Sequence, residues 1–162
     1  MKAMSKRQDM QRFIRHYKST TGETEIDMRK VAQFAQEMGW KMPIPPSPLD
    51  LLAKQFTDAA HEVREYDKKT GKPYRVWHAI PATGMPSLFN YVDIDEATRN
   101  QMLKSSVLRR EQMVSDGYNL TLDLDHWNSV NPDKEAIELP MDLTLDIEIR
   151  KASDDEPGEE AA

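Results

Sequence analysis

Pro43, Pro45, Pro46 and Pro48 fall within six residues, in the run Lys41-Met42-Pro43-Ile44-Pro45-Pro46-Ser47-Pro48. Proline lacks the backbone N–H that a helix needs and pushes the preceding residue into extended geometry. No helix can therefore cross residues 41–46, and whatever forms before them is separate from whatever forms after. The same run also starts a helix. Ser47 is placed as its N-cap, Pro48 as its first residue, and Asp50 closes an approximate capping box. Leu49, Leu52, Phe56, Ala59 and Val63 follow at spacings of three and four, so the helix should run to about Arg64.

Two helices are expected before the break. Met10, Phe13, Ile14 and Tyr17 form one apolar stripe within Ser5–Ser19, which Thr20-Thr21-Gly22 ends. A short extended piece, Thr24-Glu25-Ile26, should follow. Asp27 then caps a helix whose stripe is Met28, Val31, Ala32, Ala35 and Met38, with Gly39 as its left-handed stop.

After the third helix, Tyr66, Tyr74, Val76 and Trp77 favour strands around the turn Lys69-Thr70-Gly71-Lys72, a basic hairpin. Pro81-Ala82-Thr83-Gly84-Met85-Pro86 reads as a loop and as the boundary between two halves. Asp95 to about Ser115 has helical composition, with Asp93 or Asp95 as candidate caps. Over 117–130 two readings compete. Tyr118, Leu120, Leu122 and Leu124 alternate like a strand, while Met113, Leu120, Leu124 and Trp127 continue a helical seam; Asp123 and Asp125 tilt the balance to helix. Asn131-Pro132-Asp133 is a break. Ile137, Leu139, Met141, Leu143, Leu145, Ile147 and Ile149 then occupy every second position, which predicts an amphipathic edge strand with Pro140 at a bulge. Such an edge could pair with its counterpart in a homodimer. Residues 152–162 are acidic and read as a disordered tail. The expected fold class is α+β, mainly helical, with domains at 1–86 and 87–151.

Charge separates these halves. Residues 1–80 carry fifteen Lys/Arg and ten Asp/Glu, a net +5, whereas 81–162 carry seven and eighteen, a net −11. The two halves should face different partners or each other. The chain has no cysteine, which removes disulfides, thiol nucleophiles and Cys-based metal sites and fits a reducing compartment. No apolar run approaches a membrane span, and the polar start Met1-Lys2-Ala3-Met4-Ser5-Lys6-Arg7 is unlike a signal peptide, so the expectation is a cytoplasmic, non-membrane protein.

Few residues point to chemistry. There is no glycine-rich phosphate loop and no Gly-x-Ser-x-Gly elbow. His16, His61, His78 and His126 are scattered. Asp123-Leu124-Asp125-His126 would offer two carboxylates and an imidazole to a divalent metal if extended, but the same residues read more simply as a solvated polar face. Trp40, Trp77 and Trp127 read as core anchors. No catalytic residue, metal or cofactor is expected.

The order helix, extended piece, helix, loop, helix, basic hairpin over residues 10–80 resembles the winged helix-turn-helix superfamily. Its turn, Trp40–Pro46, is longer than the usual three or four residues. The resemblance implies a recognition helix at Ser47–Arg64 and a wing whose tip is Lys68-Lys69-Thr70-Gly71-Lys72. It implies double-stranded DNA as the partner, with Ser47, Lys54, Gln55, Thr57, Asp58 and His61 toward the major groove. Lys68, Lys69, Lys72 and Arg75 would neutralise phosphates, helped by Arg12 and Arg15. The polar positions of the third helix include Asp50, Asp58, Glu62 and Glu65 against only Lys54 and Arg64, a balance that would repel a duplex and also fits a winged-helix scaffold used for protein contact.

Overall fold

The structure is a computed structural model that describes residues 5–153. The fold is mixed α+β and mainly helical. It divides into two compact units, the first ending at Asp50 and the second beginning at Leu51.

The first unit is a helix pair. Helix α1 (Lys6–Thr21) is opened by Ser5, which exchanges hydrogen bonds with Gln8 in a full capping box, and is closed by Gly22 at φ 71°. Glycine alone takes that conformation without strain. Helix α2 (Met28–Glu37) starts on Asp27, whose carboxylate accepts from the Arg29 N–H at 2.8 Å. The expected extended piece at 24–26 is a bend rather than a strand, since no neighbouring strand exists to pair with it. The core of the pair is aromatic. Phe13 meets Phe34 at 5.7 Å and Trp40 at 5.3 Å, and Tyr17 meets Phe34 edge-on at 5.6 Å. Tyr17 and Val31 are buried, and the Tyr17 hydroxyl donates to Glu23 at 3.2 Å. Burial beside that carboxylate raises the phenol above its ordinary pKa.

Helix α3 (Pro48–Glu62) begins as expected: Ser47 Oγ accepts from the Asp50 N–H at 3.2 Å and donates to the Asp50 carboxylate at 2.6 Å. None of its residues is buried. Two hairpins follow. Strands β1 (Arg64–Tyr66) and β2 (Pro73–Arg75) form the basic hairpin, antiparallel, with Glu65 opposite Tyr74. Its turn is set by Asp67, whose side chain accepts from the Lys69 N–H at 2.8 Å, and by Gly71 at φ 67°. Strands β3 (Trp77–Ala82) and β4 (Met85–Asp93) form the second ribbon. The loop 81–86, read as a domain boundary, is the hairpin turn of this ribbon. Ala82 pairs with Met85, Gly84 takes φ 77°, and the register shifts between Pro81, which is opposite Phe89, and Ala82.

Val76 joins the ribbons. Its N–H donates to the Val63 carbonyl at 3.4 Å, its carbonyl accepts from the Ile94 N–H at 2.9 Å, and its side chain is buried. Helix α4 (Arg99–Val130) packs on β3 and buries Ser105. Its cap is Thr98 in a capping box with Gln101, not Asp93 or Asp95; the Asp93 carboxylate instead holds the Asp95 N–H at 2.9 Å in the preceding turn. The helix runs through 117–130 without interruption, as the balance of residues indicated.

The strand expected over 137–149 is absent. Asn128 clamps the backbone of Ile137, its amide donating to the carbonyl at 3.0 Å and its oxygen accepting from the N–H at 2.9 Å. Residues 137–143 then run back along α4, with Met141 over Gly117 at 3.6 Å from the position of a Cβ. Helix α5 (Thr144–Ser153) replaces the rest. Pro140 and the Asx turn at Asp142, whose carboxylate accepts from the Thr144 N–H at 3.0 Å, break the extended run and start the helix. Beyond Asp142 the alternating residues serve equally as i, i+4 helical pairs, Leu143 with Ile147 and Leu145 with Ile149. The acidic tail lies outside the described residues from 154 onward; Ala152 and Ser153 close α5.

Removing the Asn128 clamp by Asn128→Ala should raise hydrogen exchange at the Ile137 amide roughly fivefold, the loss of about 1 kcal/mol of hydrogen bonding. Exchange measured by NMR checks this; an unchanged rate would mean the clamp holds nothing.

Candidate interaction surfaces

The residues that the winged-helix resemblance singles out fall into two groups. Arg12 and Arg15 lie on α1 and Ser47 caps α3, all within the first unit, while Lys54, Gln55, Thr57, His61, Lys68, Lys69, Lys72 and Arg75 lie in the second. On α3, Lys54 is tied to Asp58 at 2.6 Å, and the Thr57 hydroxyl donates to its own helix at the Ala53 carbonyl. Gln55 is exposed. His61 turns to the second ribbon, with its Nε2 at 3.1 Å from the Tyr91 hydroxyl and the rings 5.6 Å apart.

Around the hairpin, Lys68 and Lys69 sit in the turn, exposed. Lys72 Nζ donates to the Lys151 carbonyl at 2.5 Å, placing a cation at the C-terminal end of α5, where the helix dipole is negative. Arg75 is half-buried. Burial, then the charges of Arg109 and Arg64, lowers its pKa; Arg64 is its partner in the β1–β2 ladder and donates to the His61 and Val63 carbonyls at 2.6 and 3.1 Å. Arg64 and Arg109 carried no sequence signal, because only the fold brings 64, 75 and 109 together. One residue before Arg75 on β2, Tyr74 donates to Glu65 at 3.1 Å and lies 3.5 Å from Asp95. Burial and these two carboxylates push its phenol up to about 12.

Asp123, Asp125 and His126 are on α4. Asp123 and Asp125 stand about 200° apart around the helix, which separates them as ligands. Among the described residues no three acidic or imidazole side chains gather as a metal site.

Apolar surface is the more prominent feature. In the first unit, Met10, Phe13, Val31, Ala35, Trp40 and Met42 line a groove of about 370 Å³. In the second, the stripe of α3 that would ordinarily face a core is in solvent, Phe56 being 70% and Leu52 48% exposed. Leu103, Val107, Val114, Tyr118 and Leu122 of α4 are exposed, as are Ile137, Leu139, Met141 and Leu143. By contrast, the apolar side chains that are buried among the described residues are Tyr17, Val31 and Val76.

Comparison of the chain with protein-family models, with curated proteins and with solved structures finds no match. Among the described residues no helix is long and apolar enough to cross a membrane.

Because the Tyr74 phenol titrates higher in the folded chain than the ordinary value near 10, its stabilising contribution is complete below pH 10. It declines as pH rises toward 12, where the folded phenol also ionises. Ultraviolet titration of a Glu65→Gln, Asp95→Asn double variant should bring this phenol back toward 10. A midpoint still near 12 would assign the shift to burial alone.

Proposed function

We propose that this chain is an assembly protein, which works by burying its apolar faces against other protein, first of all against its own copies. One observation carries the reading: the long apolar stripes of α3 and α4 and the segment 137–143 lie in solvent, while the buried apolar set is small. Hydrophobic burial is worth about 25 cal/mol per Å², and contiguous exposed patches of this kind mark contact sites on soluble proteins. The strand pairing once open to 137–149 is not available to such an assembly, since that segment is coil and helix. Sedimentation velocity should show self-association across roughly 1–100 µM, the range in which an association of about 6–8 kcal/mol becomes visible. A single species of 18.7 kDa at every concentration overturns the reading.

A second reading, a winged-helix DNA-binding protein, is favoured by one separate observation: Arg75 and Arg64 are ladder partners at the base of the basic hairpin, and Arg75 feels the positive charge of Arg109 as well. An anion beside Arg75 would offset those charges, and the element order of residues 10–80 supplies a scaffold. Fluorescence anisotropy against duplex DNA at several salt concentrations tests it. Arg75→Ala should lower the log–log salt slope by about 0.9, one phosphate contact. No binding at low salt removes this reading and leaves the first intact.

A further inference from the structure

The long helix α4 has two sides. Ser105, Gly117 and Leu124 lie on the side that meets β3 and the returning segment 137–143. The other side carries Leu103, Val107, Val114, Tyr118 and Leu122, at intervals of 4, 7, 4 and 4 residues. At 3.6 residues per turn these five stay within an arc of about 100°, a stripe roughly 29 Å long that is interrupted once, by Glu111, which falls in the same arc and is ion-paired with Arg110 at 3.7 Å. They are 49%, 48%, 48%, 64% and 48% exposed among the described residues.

Charge identifies what covers them. Residues 99–110 hold Arg99, Lys104, Arg109 and Arg110 with no acid, whereas 111–130 hold Glu111, Asp116, Asp123 and Asp125 with no Lys or Arg, Glu111 being paired with the adjacent Arg110. That order is the reverse of what a lone helix's dipole favours, and neither terminal turn holds the complementary charge. A second copy of the same helix, laid antiparallel, sets a basic half against an acidic half at both ends and opposes the two dipoles. A parallel copy would set like charges side by side.

Four of the five positions are symmetric about one centre, and the fifth, Val114, has Glu111 as its counterpart. Leu103 and Leu122 lie equally far from a point between Gln112 and Met113, as do Val107 and Tyr118. A two-fold axis through that point places Leu103 against the partner's Leu122 and Val107 against the partner's Tyr118. It also places Lys104, which borders the stripe, one turn from the level of the partner's Asp125. A two-fold interface requires this kind of self-complementarity.

We propose that two copies of the chain pair through this stripe as an antiparallel α4–α4 dimer. The inference rests on the assembly reading above and adds its face and its direction. Because the chain has no cysteine, single cysteines report cleanly. Full-length Val114→Cys, Leu103→Cys and Leu122→Cys chains, checked for helicity by circular dichroism, are treated with a short bifunctional maleimide.

Val114→Cys should cross-link to itself, being close to the axis. Leu103→Cys alone should not, because the two sites lie roughly 28 Å apart along the antiparallel pair. A mixture of Leu103→Cys and Leu122→Cys should cross-link. In a second measurement, Val107→Glu should weaken self-association at least about tenfold by sedimentation, the cost of placing a carboxylate in an apolar seam. Self-linking of Leu103→Cys means a parallel pair and overturns the proposal. Self-association with none of these cross-links, or unaffected by Val107→Glu, places the contact on another face and overturns it while sparing the assembly reading. A monomer at every concentration overturns both.

Discussion

Two backbone hydrogen bonds on Val76 hold the second unit together. One ties the basic hairpin to the end of α3 and the other ties the second ribbon back on itself, so that β2 and β3 act as one nearly continuous strand served by two different partners. Three-residue strands such as β1 and β2 are marginal alone. Held at Val76, they gain the longer β3–β4 ladder as an anchor, and β3 in turn supplies the surface on which α4 lies. The positive charge that Arg75 feels from Arg109 and Arg64 follows from that geometry. Arg75 precedes Val76, Arg64 is paired with Arg75 in the ladder, and Arg109 comes in on α4.

The elements most legible in the sequence are those whose ends are written in local chemistry. Ser5 with Gln8, Asp27, Ser47 with Asp50, and Gly22 fix helix ends through bonds made within three or four residues, and the basic turn is set by Asp67 and Gly71 in the same way. The 137–149 run misled because alternation alone cannot show whether a partner strand exists. Here a side-chain amide, that of Asn128, takes the place of a neighbouring strand for one residue only. Past Asp142, spacings of two and four coexist, and helix wins once the Asx turn has started it.

Site residues were legible in type but not in company. Lysines of the turn could be found from composition, whereas the positive charge around Arg75 needs the fold to bring in residues 64 and 109, and no local pattern encodes that. The outer stripe of α4 was hidden for a different reason. The helix carries apolar residues on both sides, so its periodic signal cancels, and only the packing of one side on β3 and on 137–143 separates the two.

The length of α4 has a geometric consequence. Each copy carries its ribbons at the N-terminal end of that helix, beside Ser105. In an antiparallel pair the helices become a spacer bar, and two identical hairpins stand toward opposite ends, roughly 22 Å apart along the axis. Such an object is bivalent. Whatever a single hairpin grips weakly, two at a fixed separation grip far more tightly wherever the target repeats at the same interval.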